Sequence, residues 1–394
     1  MGGQGVSAFG DAVTFTALPL LVVLLTGSGV AMGVVGTLST IPDLVFGLVA
    51  GALADRWDRR RMMLYSDIGR AVLTAMIPIS YLLGIDTMGV ILLVTLPINA
   101  LRVLFMAGFT AAVPALVGRD QISRASGVVE AVSSLSFIVG PSIAGVLVNI
   151  VGAAPTLAID AVSFLFSAGA LWFIRRPMKA QRDPLAAPQH IVADIAEGLR
   201  FIVGERTLRT AIGFWGLVSV VGAPVVPAVI FYLVKDLHQP EAVVGLVLSG
   251  YGVGYLAGAL LAGRFAKGRL GLIMLYSNAA QGLALLLFAV GGTSLIEFAA
   301  AAAAGFFGAL VLIPYVTLRA SIPPNELLGR VGSAARTLSF GLSPVGLLVG
   351  GVLLDAVGGE ATMIVIGAVG ILASAGFALA PAMRHAVAGT GRRP

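Results

Sequence analysis

The chain has 394 residues, of which 58% are hydrophobic and only 11% are charged, and its mean hydropathy is +0.99. Because a soluble domain usually carries about a quarter charged residues, this composition excludes an ordinary soluble protein and indicates an integral membrane protein. The net charge of +6 comes from cations scattered over short loops, which argues against a nucleic-acid-binding module, and the absence of cysteine excludes disulfides and thiolate chemistry.

Apolar stretches of about 20 residues, enough to cross a ~30 Å hydrocarbon core as helix, recur along the whole chain. Helices are expected because a helix satisfies its own backbone hydrogen bonds in lipid. The sequence therefore predicts an all-α integral membrane fold with twelve spans, in chain order 5–26, 30–52, 62–84, 88–116, 125–149, 153–174, 208–234, 241–263, 270–290, 294–318, 331–354 and 361–382.

The distribution of basic residues predicts the orientation, because lysine and arginine mark cytoplasmic loops. With the N-terminus inside, Arg70, Arg102 and Arg336 lie within spans, Lys235 is the only basic residue on the outer side, and all the others fall in inner loops. We expect both termini to be cytoplasmic. Attraction to anionic lipid accounts for the net positive charge.

The chain contains an internal duplication. Residues Met63–Asp67 read M-L-Y-S-D and residues Met274–Asn278 read M-L-Y-S-N, each after a basic loop that follows a glycine. A second echo pairs Gln121–Gly152 with Glu326–Gly358. We therefore expect two six-helix repeats.

The repeats predict three regions: an N-terminal six-helix bundle at 1–174, a cytoplasmic linker at 175–207, and a C-terminal six-helix bundle at 208–394. Within the linker, apolar residues at helical spacing predict a short amphipathic helix lying on the membrane surface. These residues are Ile191, Ile195, Leu199 and Ile202.

The ten residues Gly51–Arg60, G-A-L-A-D-R-W-D-R-R, place a dense charge cluster between two apolar spans. With two six-helix halves and a basic linker, this motif resembles the helix 2–3 signature of the major facilitator superfamily, whose members rock around a site at mid-membrane. The stretches around Asp11 and from Ile159, Ala193 and Gly329 are similar to the macrolide-efflux and enterobactin-exporter branch. The resemblance implies a drug:proton antiporter in the inner membrane of a bacterial cell.

The charge cluster is a candidate conformational latch. Its acid lies at the end of the second span, where it can pair with nearby arginines or face the positive N-terminal end of another helix. The resemblance implies that this acid stabilises the outward-facing state, whereas the alternative is that the arginines only anchor the topology. The latch residues are Gly51, Asp55, Arg56, Arg59 and Arg60.

The fifth span contains G-P-S-I-A-G from Gly140, which is similar to a Gly-Pro signature of exporters in this superfamily. Pro141 removes a backbone hydrogen bond and Gly145 permits close helix approach, so the motif predicts a packed, bendable contact. Ordinary helix packing is the alternative.

Ionisable residues inside spans are costly and point to function. Asp11 is the first proton-coupling candidate, because small residues surround it and no cation lies nearby in the sequence; a helix-cap or packing hydrogen bond is the alternative. Asp160 and Asp43 are further candidates. Arg102 would modulate either acid or bind an anionic substrate.

Two further pairs of charges stand out. Asp67 and Arg70, three residues apart, are expected to pair with each other or with the adjacent arginine cluster. Glu130 and Arg336 occupy near-equivalent places in the two repeats and form a candidate gate pair, or else each reaches back to water.

The resemblance implies a substrate pocket formed by the first, fourth, seventh and tenth spans. Aromatic residues of these spans would suit a bulky amphipathic ligand, although each of them could instead face lipid or pack in the core. They are Phe15, Phe105, Phe109, Trp215, Phe231, Phe306 and Phe307.

We therefore expect a secondary active transporter, not an enzyme, that exports amphipathic small molecules of drug, macrolide or siderophore type by alternating access. The proton gradient would supply the energy, and we expect no cofactor and no metal. Its partners would be substrate, protons and membrane lipids, without nucleic acid. The alternatives are an importer or facilitator of a lipid-like metabolite and a non-transporting membrane sensor or intramembrane enzyme.

Overall fold

The computed structural model describes residues 2–54, 57–117, 121–174, 191–265 and 268–388, and nearly all of them are helical. A π-helical turn, Tyr232–Asp236, follows α10. The helices are α1 (Gly2–Thr26), α2 (Gly29–Ala54), α3 (Arg59–Leu82), α4 (Thr87–Val117), α5 (Ile122–Val151), α6 (Ala153–Thr156), α7 (Ala158–Phe173), α8 (Ile191–Gly204), α9 (Arg206–Gly222), α10 (Val225–Phe231), α11 (Glu241–Ala262), α12 (Leu270–Val290), α13 (Ser294–Ser321), α14 (Leu328–Phe340), α15 (Ser343–Ala378) and α16 (Pro381–Arg384).

Among the described residues, 11 helical stretches are long and apolar enough to cross a membrane. The last of them, Asn325–Ala378, covers the predicted span 331–354 and most of the predicted span 361–382, and Gly358, whose φ of 81° is not helical, interrupts α15 between them. When this stretch is counted as two, the number agrees with the twelve predicted spans. The predicted all-α membrane fold is confirmed.

The chain forms two compact units. The first consists of Met1–Ala186 and Leu233–Ser249, and the second consists of Ala187–Tyr232 and Gly250–Pro394. In the first unit, α1 packs against α5 and α7, and α3 packs against α4 and α7. In the second unit, α12 contacts α13 and α15, and α9 contacts α15. The predicted limits of the two bundles and the linker remain a prediction.

The helix that forms in the predicted linker, α8, packs against α14 of the second unit. Ile202 belongs to the buried core of that unit, and Leu199 packs against the same core. A Cβ at Gly198 would lie 2.5 Å from the carbonyl oxygen of Arg330, and Glu197 forms an ion pair with Arg330. These two apolar positions therefore contact protein, whereas the sequence predicted that they face the membrane surface. The side chains of Ile191 and Ile195 lie outside the described part.

In the first unit, α5 approaches α1 on one side and the first turns of α11 on the other. A Cβ at Gly140 would lie 2.7 Å from the Cβ of Ala12 on α1. A Cβ at Gly145 would lie 2.5 Å from the carbonyl oxygen of Glu241 and 2.9 Å from the Cα of Gly245. The predicted Gly-Pro motif thus forms a close backbone contact, and its role in export remains a prediction.

We expect Gly145→Ala to lower the thermal unfolding temperature of the detergent-purified protein. The added methyl group would meet backbone atoms, which cannot move independently, and overpacking of this kind costs about 1–3 kcal/mol. The matched control is Gly127→Ala on the same helix, where a Cβ would meet nothing within 4 Å. Equal unfolding temperatures for the two variants would contradict the contact.

Candidate functional site

A cluster of charged side chains lies in the first unit, where α1, α3 and α7 meet. The Nη2 atom of Arg70 on α3 donates a hydrogen bond to Oδ1 of Asp11 on α1 at 2.5 Å. The Nη1 atom of the same guanidinium lies 3.7 Å from Oδ1 of Asp67. Asp160 on α7 approaches the same part of α1, where Thr14 donates a hydrogen bond to it. Two carboxyl groups therefore contact one guanidinium, and a third acid lies beside them on α7.

The carboxyl group of Asp160 is held by hydroxyl groups. Thr14 on α1 donates to its Oδ2 at 2.6 Å, and the Ser163 hydroxyl lies 3.1 Å from its Oδ1 and 2.8 Å from its backbone carbonyl oxygen. A serine hydroxyl has one hydrogen and also accepts. If that hydrogen goes to the backbone carbonyl, Ser163 can accept a hydrogen bond from a protonated Asp160. The two hydroxyl groups can therefore hydrogen-bond to Asp160 in its ionised and in its protonated form.

The backbone of α1 leaves room for this carboxyl group at Gly10. A Cβ there would lie 2.4 Å from Oδ1 of Asp160 and 2.2 Å from the Ser163 hydroxyl oxygen. A glycine at this position therefore lets the polar face of α7 contact α1 directly.

The guanidinium of Arg70 is fixed from a second direction. Its Cζ lies 3.8 Å from the centroid of the Phe164 ring, a cation–π contact. The Arg70 side chain is only 3% exposed, and neither its Nε nor the two oxygens of Asp67 make a hydrogen bond in the described part of the chain. The guanidinium of Arg70 and the carboxyl group of Asp67 are therefore buried and only partly hydrogen-bonded.

A second ion pair joins α2 and α4 near the middle of both helices. Arg102 pairs with Asp43 through its Nη2, and its Nε donates to Oδ1 of Asn99 at 3.2 Å. Both charged side chains are partly exposed. Charged residues at this depth usually face protein or a water-filled cavity, so this face of the first unit is a candidate water path.

No cation lies near Asp11 in the sequence, but the fold brings one into contact with it. Arg70 lies 59 positions further along the chain and forms its ion pair from α3. The Asp11 side chain is 38% exposed, whereas Asp160 is 2% exposed and forms no ion pair within 4.0 Å to any described residue. Of these two acids, Asp160 is therefore the enclosed one. The predicted contact between Asp67 and Arg70 is present, at 3.7 Å.

Sequence reasoning missed Thr14, Ser163 and Phe164. One signal was available, because Ser163 stands three residues after Asp160 and therefore lies on the same helical face. The contribution of Thr14 depends on the packing of α1 against α7, which residue spacing along one helix does not reveal.

The predicted latch arginines bind carbonyl groups near helix ends. Arg59 donates from Nη1 to the carbonyl of Ala111 at 2.8 Å and from Nε to that of Ala54 at 3.3 Å. Arg60 donates to the carbonyls of Leu171 and Trp172, at 2.9 and 2.6 Å, at the end of α7. Cations suit the ends of α2 and α7 because the last carbonyls of a helix lack partners and carry partial negative charge. These hydrogen bonds connect the start of α3 to α2, α4 and α7.

The other predicted latch and gate residues either lie outside the described residues or are exposed. Asp55 and Arg56 lie outside the described residues, and a Cβ at Gly51 would meet nothing within 4 Å. Glu130 is exposed on α5, and Arg336 is exposed on α14. The latch and the gate pair remain predictions.

The predicted substrate aromatics differ in exposure. Phe105 and Phe231 are buried, and Phe105 stacks on Phe109 with ring centroids 6.2 Å apart. Phe105 and Phe231 therefore pack within the protein. The others are at least partly exposed: Phe15, Phe109, Trp215, Phe306 and Phe307. For them a role in lining a pocket remains a prediction.

The family described as transmembrane secretion effector, within the major facilitator superfamily, matches residues 3–388. The chain belongs to this family. Over 368 residues it is 30% identical to the multidrug efflux pump Tap of Mycolicibacterium fortuitum, covering 91% of this chain and 88% of the pump. It is 26% identical over 324 residues to the enterobactin exporter EntS of Citrobacter koseri, covering 80% and 74%.

The predicted resemblance to the exporters of this superfamily is thus confirmed. The fold is similar to a crystal structure of a variant of the nucleoside transporter NupG, with a TM-score of 0.80 and 13% identity over 96% of this chain and 98% of that one. Family and fold together identify a multi-pass membrane transporter.

We expect Arg70→Met to destabilise the protein strongly, because it leaves buried carboxyl groups without their cation. Removing one partner of a buried pair costs about 3–5 kcal/mol. Arg102→Met, which breaks the partly exposed pair, is the matched control, with an expected loss of about 0–1 kcal/mol. Thermal unfolding of the purified variants measures both.

Adding Asp11→Asn and Asp160→Asn to Arg70→Met should restore part of the stability, since the unpaired charges are then removed. Equal losses for Arg70→Met and Arg102→Met, or no recovery in the triple variant, would contradict a charge cluster centred on Arg70.

Proposed function

We propose that this transporter exports amphipathic small molecules, of drug, macrolide or siderophore type, by alternating access, and that inward proton movement drives the export. The observation that carries the proposal is the cluster in which Arg70 forms an ion pair with Asp11 and lies 3.7 Å from Asp67, with the enclosed acid Asp160 beside it on α7. The exporters among its relatives support the direction of transport. The proton gradient serves as the energy source.

The balance of charges makes the cluster responsive to protons. With all three acids ionised, the cluster carries two negative charges more than Arg70 neutralises, and like charges in a poorly hydrated site repel strongly. A proton on one acid relieves this repulsion. Each protonation change therefore alters how Arg70 is shared among α1, α3 and α7.

We assign different tasks to the acids. Asp11 is the most exposed of them and is the entry point for a proton, whose arrival weakens the ion pair with Arg70. Arg70 then turns toward Asp67, already 3.7 Å away, or toward Asp160. Asp160, held by Thr14 and Ser163, is the enclosed acid that retains or releases the proton.

Asp43 and Arg102 line the water path, and Arg102 contacts an anionic substrate group if one is present.

The rest of the cycle follows from the latch. Asp55, with Arg56, Arg59 and Arg60, holds the outward-facing state, and Glu130 with Arg336 acts at the cytoplasmic gate. The protein lies in the inner membrane of a bacterial cell with both termini in the cytoplasm, where the basic loops contact anionic lipid.

We expect Asp160→Asn to abolish pH-driven movement of a macrolide or a fluorescent dye in reconstituted vesicles, while binding of the same compound without a gradient persists. Asparagine still accepts a hydrogen bond from Thr14 but cannot exchange a proton. The matched control is Asp86→Asn, since Asp86 is an exposed acid that accepts a hydrogen bond from the Gly89 amide at 3.0 Å.

Transport by the unaltered protein that ignores an imposed pH gradient would contradict proton coupling. Gradient-driven transport by Asp160→Asn at the unaltered rate would remove Asp160 from the coupling site. Expression that raises the substrate content of cells would contradict export and favour an importer.

A further inference from the structure

In the second unit, α11 and α13 are in backbone contact over two helical turns. Glycines at every fourth position of α11 make this possible. A Cβ at Gly250 would lie 2.9 Å from the carbonyl oxygen of Phe298, one at Gly254 would lie 1.8 Å from that of Ala302, and one at Gly258 would lie 2.3 Å from that of Phe306. Small residues at such a helix interface allow this approach.

The close contact brings two polar side chains to one point on α13. The missing Cβ of Gly308 would lie 2.9 Å from the Nε2 atom of Gln281 on α12 and 3.2 Å from the hydroxyl oxygen of Tyr251 on α11. The Gln281 amide also donates to the carbonyl of Ala304 at 3.1 Å. The Tyr251 hydroxyl and the Gln281 amide therefore converge over the backbone of Gly308, and we call this place the Gly308 notch.

All three residues of the notch lie at the middle of their helices. Tyr251 is near the centre of Glu241–Ala262, Gln281 near the centre of Leu270–Val290, and Gly308 near the centre of Ser294–Ser321. All three are partly exposed. Polar groups at this depth cannot hydrogen-bond to lipid, and substrate sites of transporters lie at this height.

An apolar surface adjoins the notch. Phe306 and Phe307 directly precede Gly308, are partly exposed, and contact each other edge to face with centroids 5.3 Å apart. A partly polar and partly aromatic surface suits a ligand that is itself amphipathic. The hydroxyl and amide groups are uncharged, so they select for hydrogen-bonding groups and not for charge.

We infer that the Gly308 notch is a substrate subsite for a neutral hydroxyl or carbonyl group. The Tyr251 hydroxyl and the Gln281 amide bind this group, and Phe306 and Phe307 contact the apolar part of the same molecule. The inference rests on the proposed export function and names a feature of the substrate that the second unit takes: an amphipathic compound with neutral, oxygen-bearing groups. The predicted pocket, drawn from the first, fourth, seventh and tenth spans, did not include α11 and α12.

The test compares two ligands on the purified full-length protein. A macrolide carries hydroxyl and carbonyl groups, whereas tetraphenylphosphonium is a lipophilic cation with no hydrogen-bonding group. Tyr251→Phe removes only the hydroxyl, and Gly308→Ala fills the notch while meeting only the ends of two flexible side chains. Controls are Tyr276→Phe, a tyrosine that is 71% exposed on α12, and Gly213→Ala, where a Cβ would meet nothing within 4 Å.

We expect Tyr251→Phe and Gly308→Ala each to raise the Kd of the macrolide about fivefold, the effect of about one hydrogen bond, and to leave the Kd of tetraphenylphosphonium within about twofold. Both controls should bind both ligands like the unaltered protein. An unchanged macrolide Kd in Tyr251→Phe would overturn the inference, as would an equal loss for both ligands or an unaltered protein that binds no macrolide.

A failure of the proposed export function would show in a transport measurement and not in these binding constants. In that case the unaltered protein moves neither ligand under a pH gradient in vesicles, whatever the binding constants of the variants.

Discussion

In the first unit a buried guanidinium, that of Arg70, faces carboxyl groups from three helices. A buried charge is costly unless it is paired, so this arrangement constrains how α1, α3 and α7 can pack. The ion pair with Asp11 fixes α3 against α1, the Phe164 ring holds the guanidinium from α7, and Asp160 completes the cluster from the same helix. Because the acids outnumber the cation, the proposed function has the same constraint make the packing depend on protons.

Small residues determine how close the helices come to these polar groups. Gly10 lets Asp160 and Ser163 reach α1, Gly145 brings α5 onto the first turns of α11, and Gly308 leaves space for the Tyr251 hydroxyl. In each case the atom that a Cβ would meet lies on another helix. The polar sites of this transporter therefore depend as much on missing side chains as on present ones, which is typical of helix packing in membranes.

Hydropathy and basic loops were sufficient to predict the helical membrane fold, because a run of apolar residues long enough to cross a bilayer has few other uses. The motifs around Asp11 and Gly51 were sufficient for the family. The sequence also singled out the acids inside the spans as candidates, since a charge inside a span is rarely accidental.

The partners of these acids could not be predicted. Asp11 and Arg70 are 59 positions apart, and their contact depends on the rotation of α1 and α3 about their own axes. The same limit applies to α8, whose amphipathic pattern is equally compatible with a membrane surface and with α14. It also applies to Tyr251, whose proximity to Gly308 depends on helix packing and is not evident from its neighbours in the chain.

The central claim is that substrate binding is coupled to a change of protonation at the cluster in the first unit, where Asp160 retains or releases the proton. The most direct measurement is the proton release that accompanies macrolide binding to the purified protein in weakly buffered solution, followed with a pH indicator. The account predicts that binding releases a proton and that Asp160→Asn binds the macrolide without this release. Binding without proton release in the unaltered protein, or the same release in Asp160→Asn, would contradict the account.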